Sequence, residues 1–451
     1  MTIAGLESRA TEGSPADVGA EMLAFMADVF PFCRSITGNG LRSTLQRIGE
    51  TVPVELTEVP TGTTVLDWTI PKEWNVRDAW VADADGRRVV DFQDSNLHVL
   101  NYSAPVRTRL SLEQLRPHLH TLPDHPTWVP YRTSYYAESW GFCLSQEALD
   151  RLPDGEYEAV VDATLQDGSL TYGECVLPGA SDEEILISSH VCHPSLANDN
   201  LSGVAVATFL ARELSALTSR RYTYRFLFAP TTIGTIAWLA GHEDLLPRIR
   251  AGLVIACVGD PGPMVYKRSR HGDREIDRAA THLLAGRVDA AEVVDFSPYG
   301  DDTRQFCSPG FDLPVGTITR SGHDRSERHH TSADDLASIE PAALADTLST
   351  CRAVLDILEQ DATLVSLNPK GEPQLGRRGL YRSFGGRAEQ GALESALLWV
   401  MNQADGQHTM LDVADRAGLP FGVVREAARA LEGAALLRCE PPQRIRRDER
   451  T

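Results

Sequence analysis

A mainly parallel α/β sheet flanked by helices, carrying a small mostly-β insertion and followed by a winged helix-turn-helix, is the fold class this 451-residue sequence predicts. Three patterns carry that expectation. Between Glu184 and Thr319, short apolar runs alternate with helical ones, as strands joined by crossover helices do. Between Asp67 and Ala180 the runs alternate residue by residue and are punctuated by Pro, Gly and Asp, as in an antiparallel module. The last stretch holds three helical patterns around the turn Gly418-Leu419-Pro420 and closes on a short strand, the order of a winged helix. The expected segments are 1–66 and 181–365 for the main domain, 67–180 for the insertion and 385–451 for the winged helix.

The elements follow in order. Met22, Leu23, Met26, Val29 and Phe30 recur at helical spacing, Ile36-Thr37-Gly38-Asn39-Gly40 breaks the pattern, and Leu41–Ile48 resumes it. Val52–Pro60 alternates like a strand. In the insertion, Val89–Phe92, Tyr157–Ala163 and Leu170–Val176 read as strands, with Trp128, Tyr131, Tyr135, Tyr136 and Trp140 among them. Beyond it, Glu184–Ser189, Tyr222–Ala229, Leu253–Val258 and Val315–Thr319 read as strands, Val204–Leu217 and Ile233–His242 as helices. The polar stretch Gln360–Arg387 reads as a linker or arm. Ala392–Asn402, Met410–Ala417 and Phe421–Glu432 are expected helices, and Leu436–Cys439 the closing strand.

Composition bounds the function. Hydrophobic residues at 42 % and charged residues at 24 % belong to a globular chain, not a disordered one. A net charge of −20 argues against nucleic acid or an anionic membrane as partner, because the mean field repels phosphate. No apolar run is long enough for a bilayer span, and the N-terminus lacks the basic and apolar regions of a signal peptide. Eight scattered cysteines without a C-x-x-C pair read as buried thiols. The expectation is a soluble, acidic, cytoplasmic protein.

Metal-competent residues concentrate in Ser188–Gly203, where a buried strand ends and a helix begins. Ligands of open α/β sheets bind at such places. His190 and Asp199 offer an imidazole and a carboxylate, both of which suit zinc; the plainer alternative is a loop histidine and a helix cap. A second cluster, Arg325–Asp335, follows the strand at Val315–Thr319 and contributes His330 with carboxylates nearby that could orient the ring. Asp260 follows Leu253–Val258, and Asp301 and Asp302 lie in Ser297–Phe306. Four strand ends bearing His or Asp point to a metal site rather than to caps alone. Tyr266-Lys267-Arg268-Ser269-Arg270-His271 is basic within an acidic chain; Lys267, Arg268 and Arg270 could clamp a substrate carboxylate or phosphate, or form a solvated turn.

The order His, A-N-D-N-x-S-G, P-x-T-I-G, V-G-D, D-D and H-T-x-x-D resembles the zinc aminopeptidases of the transferrin-receptor and glutamate-carboxypeptidase type. More closely it is similar to the bacterial aminopeptidase-like family, with a small β domain inside the peptidase fold and a winged helix after it. Phe30–Gly38, His190–Pro194, Tyr266–Arg270 and His330–Asp335 extend the resemblance over nearly the whole chain. It implies His190, Asp199 and His330 as metal ligands, with Asp199 in the place of a carboxylate that bridges two zincs in the full enzymes. Those enzymes carry a Glu-Glu pair, general base then ligand, where this chain reads Thr231-Thr232. Threonine does not ionise near neutral pH, so the usual general base is missing. With Thr232 in a ligand's place, one zinc held by His190, Asp199 and His330, with an open position, is expected rather than two. His193, Cys192 and Asp260 are reserve ligands or hydrogen-bonding partners, and Cys192 and Cys257 are expected as packed thiols.

The function this implies is a zinc-dependent, aminopeptidase-like amide or peptide hydrolase in biosynthesis, acting on a small aminoacylated or peptidic substrate. Asp260, Asp301, Asp302 and Thr231 are its candidate catalytic residues. The alternatives are a metal- or ligand-binding pseudoenzyme and a ligand-sensing transcription regulator. The winged helix is expected to bind protein, with homo-oligomerisation through it, because Glu426 and Glu432 offset Arg425 and Arg429. The basic cluster Arg444, Arg446 and Arg447 lies in the tail beyond it, diluted by Asp448 and Glu449.

Overall fold

Eight strands form the main sheet of the computed structural model, which describes residues 15–321, 326–380 and 388–442. Thr223–Ala229, Glu184–His190, Ile249–Ile255 and Val315–Arg320 lie side by side and parallel. Ile249–Ile255 and Val315–Arg320 are buried along their whole lengths, as strands covered on both faces must be. Met264–Lys267 and Ala291–Val294 extend one edge; Ser169–Leu177 and Glu55–Pro60 extend the other, antiparallel. Ile249–Ile255 starts four residues before the expected strand because Arg250, polar in sequence, is buried between Glu183 (3.0 Å) and Glu275 (2.7 Å).

The insertion is a separate antiparallel sheet in the order Arg88–Asp91, Glu73–Ala82, Glu156–Gln166, Val106–Ser111. Ser169–Leu177 falls in the segment expected as insertion (67–180) but belongs to the main sheet. Its alternation comes from antiparallel pairing with both neighbours, the same signal an insertion strand shows.

The chain divides into two compact units: 8–276 with 289–351, and 277–288 with 352 onward. The first holds both sheets above. In the second, Thr363–Ser366 lies between Asp405–Thr409 and Leu437–Glu440, with helices Ala388–Gln403, Met410–Ala417 and Phe421–Gly433. Thr363–Ser366 lies in the stretch expected as linker; a four-residue strand followed by Asn368–Gln374 leaves no periodic signal. Met410–Ala417 opens on a capping box from Thr409 and Asp412, and closes on Gly418 at φ 63°, where a side chain would be strained. Arg444, Arg446 and Arg447 lie outside the described residues, as do Arg325 and 381–387. Among the described residues no helix is long and apolar enough to cross a membrane. No disulfide joins the eight cysteines.

Candidate metal centre

Four parallel strands end at one edge of the main sheet, and their following loops meet there. His190 is the last residue of Glu184–His190. The chain then makes a wide turn over Ala197–Ser202, in which Asp199 leaves helical geometry (φ −107°, ψ 85°), before the helix Gly203–Ser215. Nearly every polar atom of A-N-D-N-x-S-G holds this turn. Asp334 accepts the backbone N–H groups of Asn198 (2.6 Å) and Asp199 (2.9 Å). Asn198 accepts from the Gly259 N–H and donates to Asp260. Asn200 donates to the His190 carbonyl, and Ser202 bonds the Asn198 carbonyl while accepting the Val258 N–H. Gly203 has no alternative: a Cβ there would sit 2.3 Å from the Ile255 carbonyl oxygen.

Asp199 is the centre of the cluster and 3 % exposed. His190 Nε2 approaches its Oδ1 at 2.8 Å; His330 Nε2, His329 Nδ1 and His193 Nε2 approach Oδ2 at 2.9, 3.4 and 3.9 Å. The three expected ligands therefore all meet, but in two groups that share Asp199: His190 with His193, and His329 with His330. Imidazole nitrogens around one buried carboxylate fit a divalent ion of borderline softness. Burial works against the charged form of Asp199, yet the neighbouring His193 and hydrogen bonds from His190 and His330 hold its carboxyl well below the usual range. Burial also opposes the imidazolium of His190, but Asp199 overcomes it and the net shift is upward. At His193 burial wins and the shift is downward. Burial raises Asp334 to about 7 despite its two backbone hydrogen bonds.

The remaining candidates are placed as follows. Asp260 accepts from Asn198, the Gly262 N–H and Ser321, and so buttresses the ligand turn from outside. Asp301 pairs with Lys267 at 2.7 Å and accepts from Thr303 and Thr317. Lys267 spends its other donors on the carbonyls of Ser297 and Tyr299. Arg268 is tied to Asp295 and Arg270 to Asp312. The expected basic clamp is thus distributed over carboxylates and carbonyls of this chain, because an acidic protein supplies an internal counter-ion near each cation. Asp302 accepts from Thr231 at 2.6 Å and from Thr235 at 2.9 Å; burial raises its carboxyl against those bonds.

Four contributors were not singled out as ligands or wall. His329 stands beside a matched histidine, and adjacent imidazoles cannot be told apart by spacing. Cys257, expected as a packed thiol, is buried with φ 51°, and burial beside Asp199 raises its thiol well above the ordinary range. Ser195 (φ 44°) and His330 (φ 58°) share this left-handed backbone, so unfavourable conformations gather around the cluster. Tyr131, from the insertion, donates its N–H to the His330 carbonyl and lays its ring 5.1 Å from His193 and 5.2 Å from His330. Arg34 of the Phe30–Gly38 motif is fully buried, bonds the His193 carbonyl at 2.7 Å and the Val29 carbonyl at 2.5 Å, and leaves Nη2 without a partner. Burial pulls its guanidinium down to about 10. The sequence signal for Arg34 was its motif, and for Tyr131 only its place in the aromatic stretch of the insertion; spacing could assign neither a role.

A parallel sheet with this cluster at its carboxyl edge, an antiparallel insertion and a terminal winged helix defines an aminopeptidase-like class. The Bacillus subtilis zinc aminopeptidase BSAP, 13 % identical, shares the fold with a TM-score of 0.56 over 77 % of this chain and 95 % of that one. Residues 23–361 match the family described as Domain of unknown function (DUF4910), and the chain belongs to that family. Residues 362–439 match a winged helix-turn-helix family. A Clostridium acetobutylicum protein is 48 % identical over 423 residues, 94 % of this chain and 97 % of its own length. Its name assigns it to polysaccharide biosynthesis and gives it an aminopeptidase-like domain. A crystal structure from the same organism, provisionally named a peptidase, is 46 % identical with a TM-score of 0.90, covering 94 % of this chain and 97 % of that one.

Proposed function

We propose that this chain is a zinc-dependent amide hydrolase of the aminopeptidase type, acting on a small aminoacylated or short peptidic substrate. The observation that carries the reading is Asp199, a buried carboxylate approached by four imidazoles at the carboxyl edge of the sheet. His190 with His193, and His329 with His330, are the residues that would hold zinc, and Asp199 is the ligand common to both groups. Bound there, zinc would supply Lewis acidity toward a carbonyl and toward water. The chain's own contribution is positioning: Asp334 and Asn198 fix the ligand turn, Arg34 props the His193 loop, and Tyr131 packs its ring against His193 and His330. The name of the Clostridium relative supports a substrate from polysaccharide assembly, such as an amide joining an amino acid to an amino sugar. Eight cysteines outside any disulfide support a reducing, cytoplasmic setting.

Thr231 and Thr232, standing where the full enzymes carry two glutamates, favour a second reading in which the metal site binds ligands without turnover. Metal analysis of the purified chain, followed by a panel of aminoacyl anilides and N-aminoacyl amino sugars, tests both. Bound zinc with slow release of the amino acid is the expected result. Bound zinc with saturable ligand binding and no release establishes the second reading instead, and absence of any metal affinity refutes both.

A further inference from the structure

We infer that Thr231 and Asp302 together replace the missing general base: the Thr231 hydroxyl contacts the attacking water and passes its proton to Asp302 behind it. The inference rests on the hydrolase reading above.

Thr231 lies two residues past Ala229, the register partner of His190 on the neighbouring parallel strand, so the topology delivers it beside the metal cluster. Its carbonyl faces Cys192 Sγ at 4.0 Å, next to His193. Thr231 is partly exposed, whereas Asp302 is 4 % exposed and reaches it at 2.6 Å. The second oxygen of Asp302 is held at 2.9 Å by Thr235, which is fully buried. Thr231 is therefore the hydrogen-bonded outlet from this carboxylate toward the site.

The local charges fit the same role. Asp301, next in sequence, is neutralised by Lys267, but no lysine or arginine pairs with Asp302 among the described residues. A buried carboxylate held only by hydroxyls is expensive to keep. A hydroxyl can carry a proton without ionising, since it accepts one as it donates another. In the forward step the water oxygen bonds the amide carbon, its proton moves to Thr231 Oγ1, and the Thr231 proton moves to Asp302 Oδ1, leaving a neutral acid. In the return step that proton travels back through Thr231 to the amine nitrogen as the C–N bond breaks. The sum is amide plus water giving acid plus amine, and both residues end as they began.

The test uses the full-length, zinc-loaded protein and an aminoacyl anilide, with Thr231→Ser, Thr231→Val, Asp302→Asn, Thr231→Val/Asp302→Asn, Thr231→Glu and Thr231→Glu/Asp302→Asn variants. Zinc affinity, measured against a chromophoric chelator, is expected to stay constant through the series. Thr231→Ser should keep kcat within a few-fold, while Thr231→Val and Asp302→Asn should each lower it about 10²–10⁴-fold, with no further loss in their double variant. Thr231→Glu should restore a direct base and make Asp302→Asn neutral in that background. Independently of turnover, the isotope-edited infrared carboxyl band of Asp302 should shift in Thr231→Val and hold in Thr231→Ser. Thr231→Val as fast as the parent, or an unmoved band, overturns the relay and leaves the hydrolase reading standing. No turnover in any variant, Thr231→Glu included, overturns the hydrolase reading and the relay with it.

Discussion

Asp199 sits at the point where every approach of the four histidines converges, and its substitution is the sharpest single-residue experiment. Asp199→Asn keeps the volume but removes the anion shared by both groups, so metal content measured by mass spectrometry should fall to background while circular dichroism is unchanged; retained stoichiometric zinc would show that the histidines suffice. Asp334 acts one step further out, fixing the backbone of Asn198 and Asp199. Asp334→Asn is expected to weaken zinc about 10–100-fold, the usual cost of losing a partner that orients ligands; an unchanged affinity in chelator competition would reject that role. His190, Asp199 and His330 were legible because each falls in a spaced motif at or after the end of a strand. His193 was read only as a reserve ligand, and His329 and Cys257 were not read as part of the site, since their part depends on side-chain and backbone torsions that spacing does not encode.

At the scale of elements, the helix Gly203–Ser215 packs its first residue against the end of a neighbouring strand. Gly203→Ala forces a Cβ to 2.3 Å from the Ile255 carbonyl oxygen, and about 1–3 kcal/mol of stability should be lost in urea unfolding; an unaltered midpoint would mean the helix can slide. A second junction joins Arg42, on the helix Asn39–Gly49, to Glu58 at 2.9 Å and to Glu73, the first residue of an insertion strand, at 2.6 Å. The hydrogen bond from Arg42, opposed by burial, holds the Glu73 carboxyl down from 4.5 to about 2. A lowered folded value means the unfolded chain binds the proton more tightly. The stabilisation is therefore complete above about 4.5 and drains away as pH falls toward 2. Glu73→Gln should flatten that limb of the Tm–pH curve, and parallel curves for parent and variant would exclude the contribution. These junctions join segments far apart in sequence.

For the whole molecule the question is what the winged helix meets. The net charge is −20, and in the second unit Arg425 of Phe421–Gly433 is already bonded to Asp356 (3.1 Å) and Gln360 (2.6 Å), while Arg429 bonds Gln360 at 3.2 Å. Few cations on that helix remain for phosphate. The full chain should therefore show no sub-micromolar, salt-dependent binding to duplex DNA at about 50 mM salt, whereas sub-micromolar affinity that weakens steeply with salt would contradict this. Sedimentation of the full chain tests the companion expectation of self-association through this domain; a monomer at all concentrations rejects it.

Periodicity and punctuation were enough to read the parallel sheet, its crossover helices and the terminal winged helix, because burial on one or both faces imposes those patterns on any sequence that adopts them. The same information could not assign Ser169–Leu177 to the main sheet, since an antiparallel strand alternates identically wherever it pairs. Nor could it show that Lys267 belongs to Asp301, that Arg250 is a core residue between two glutamates, or that Thr231 stands in front of Asp302. Each of those facts is a pairing between distant segments. Pairing energy depends on distance and desolvation, and both come into being only when the chain has folded.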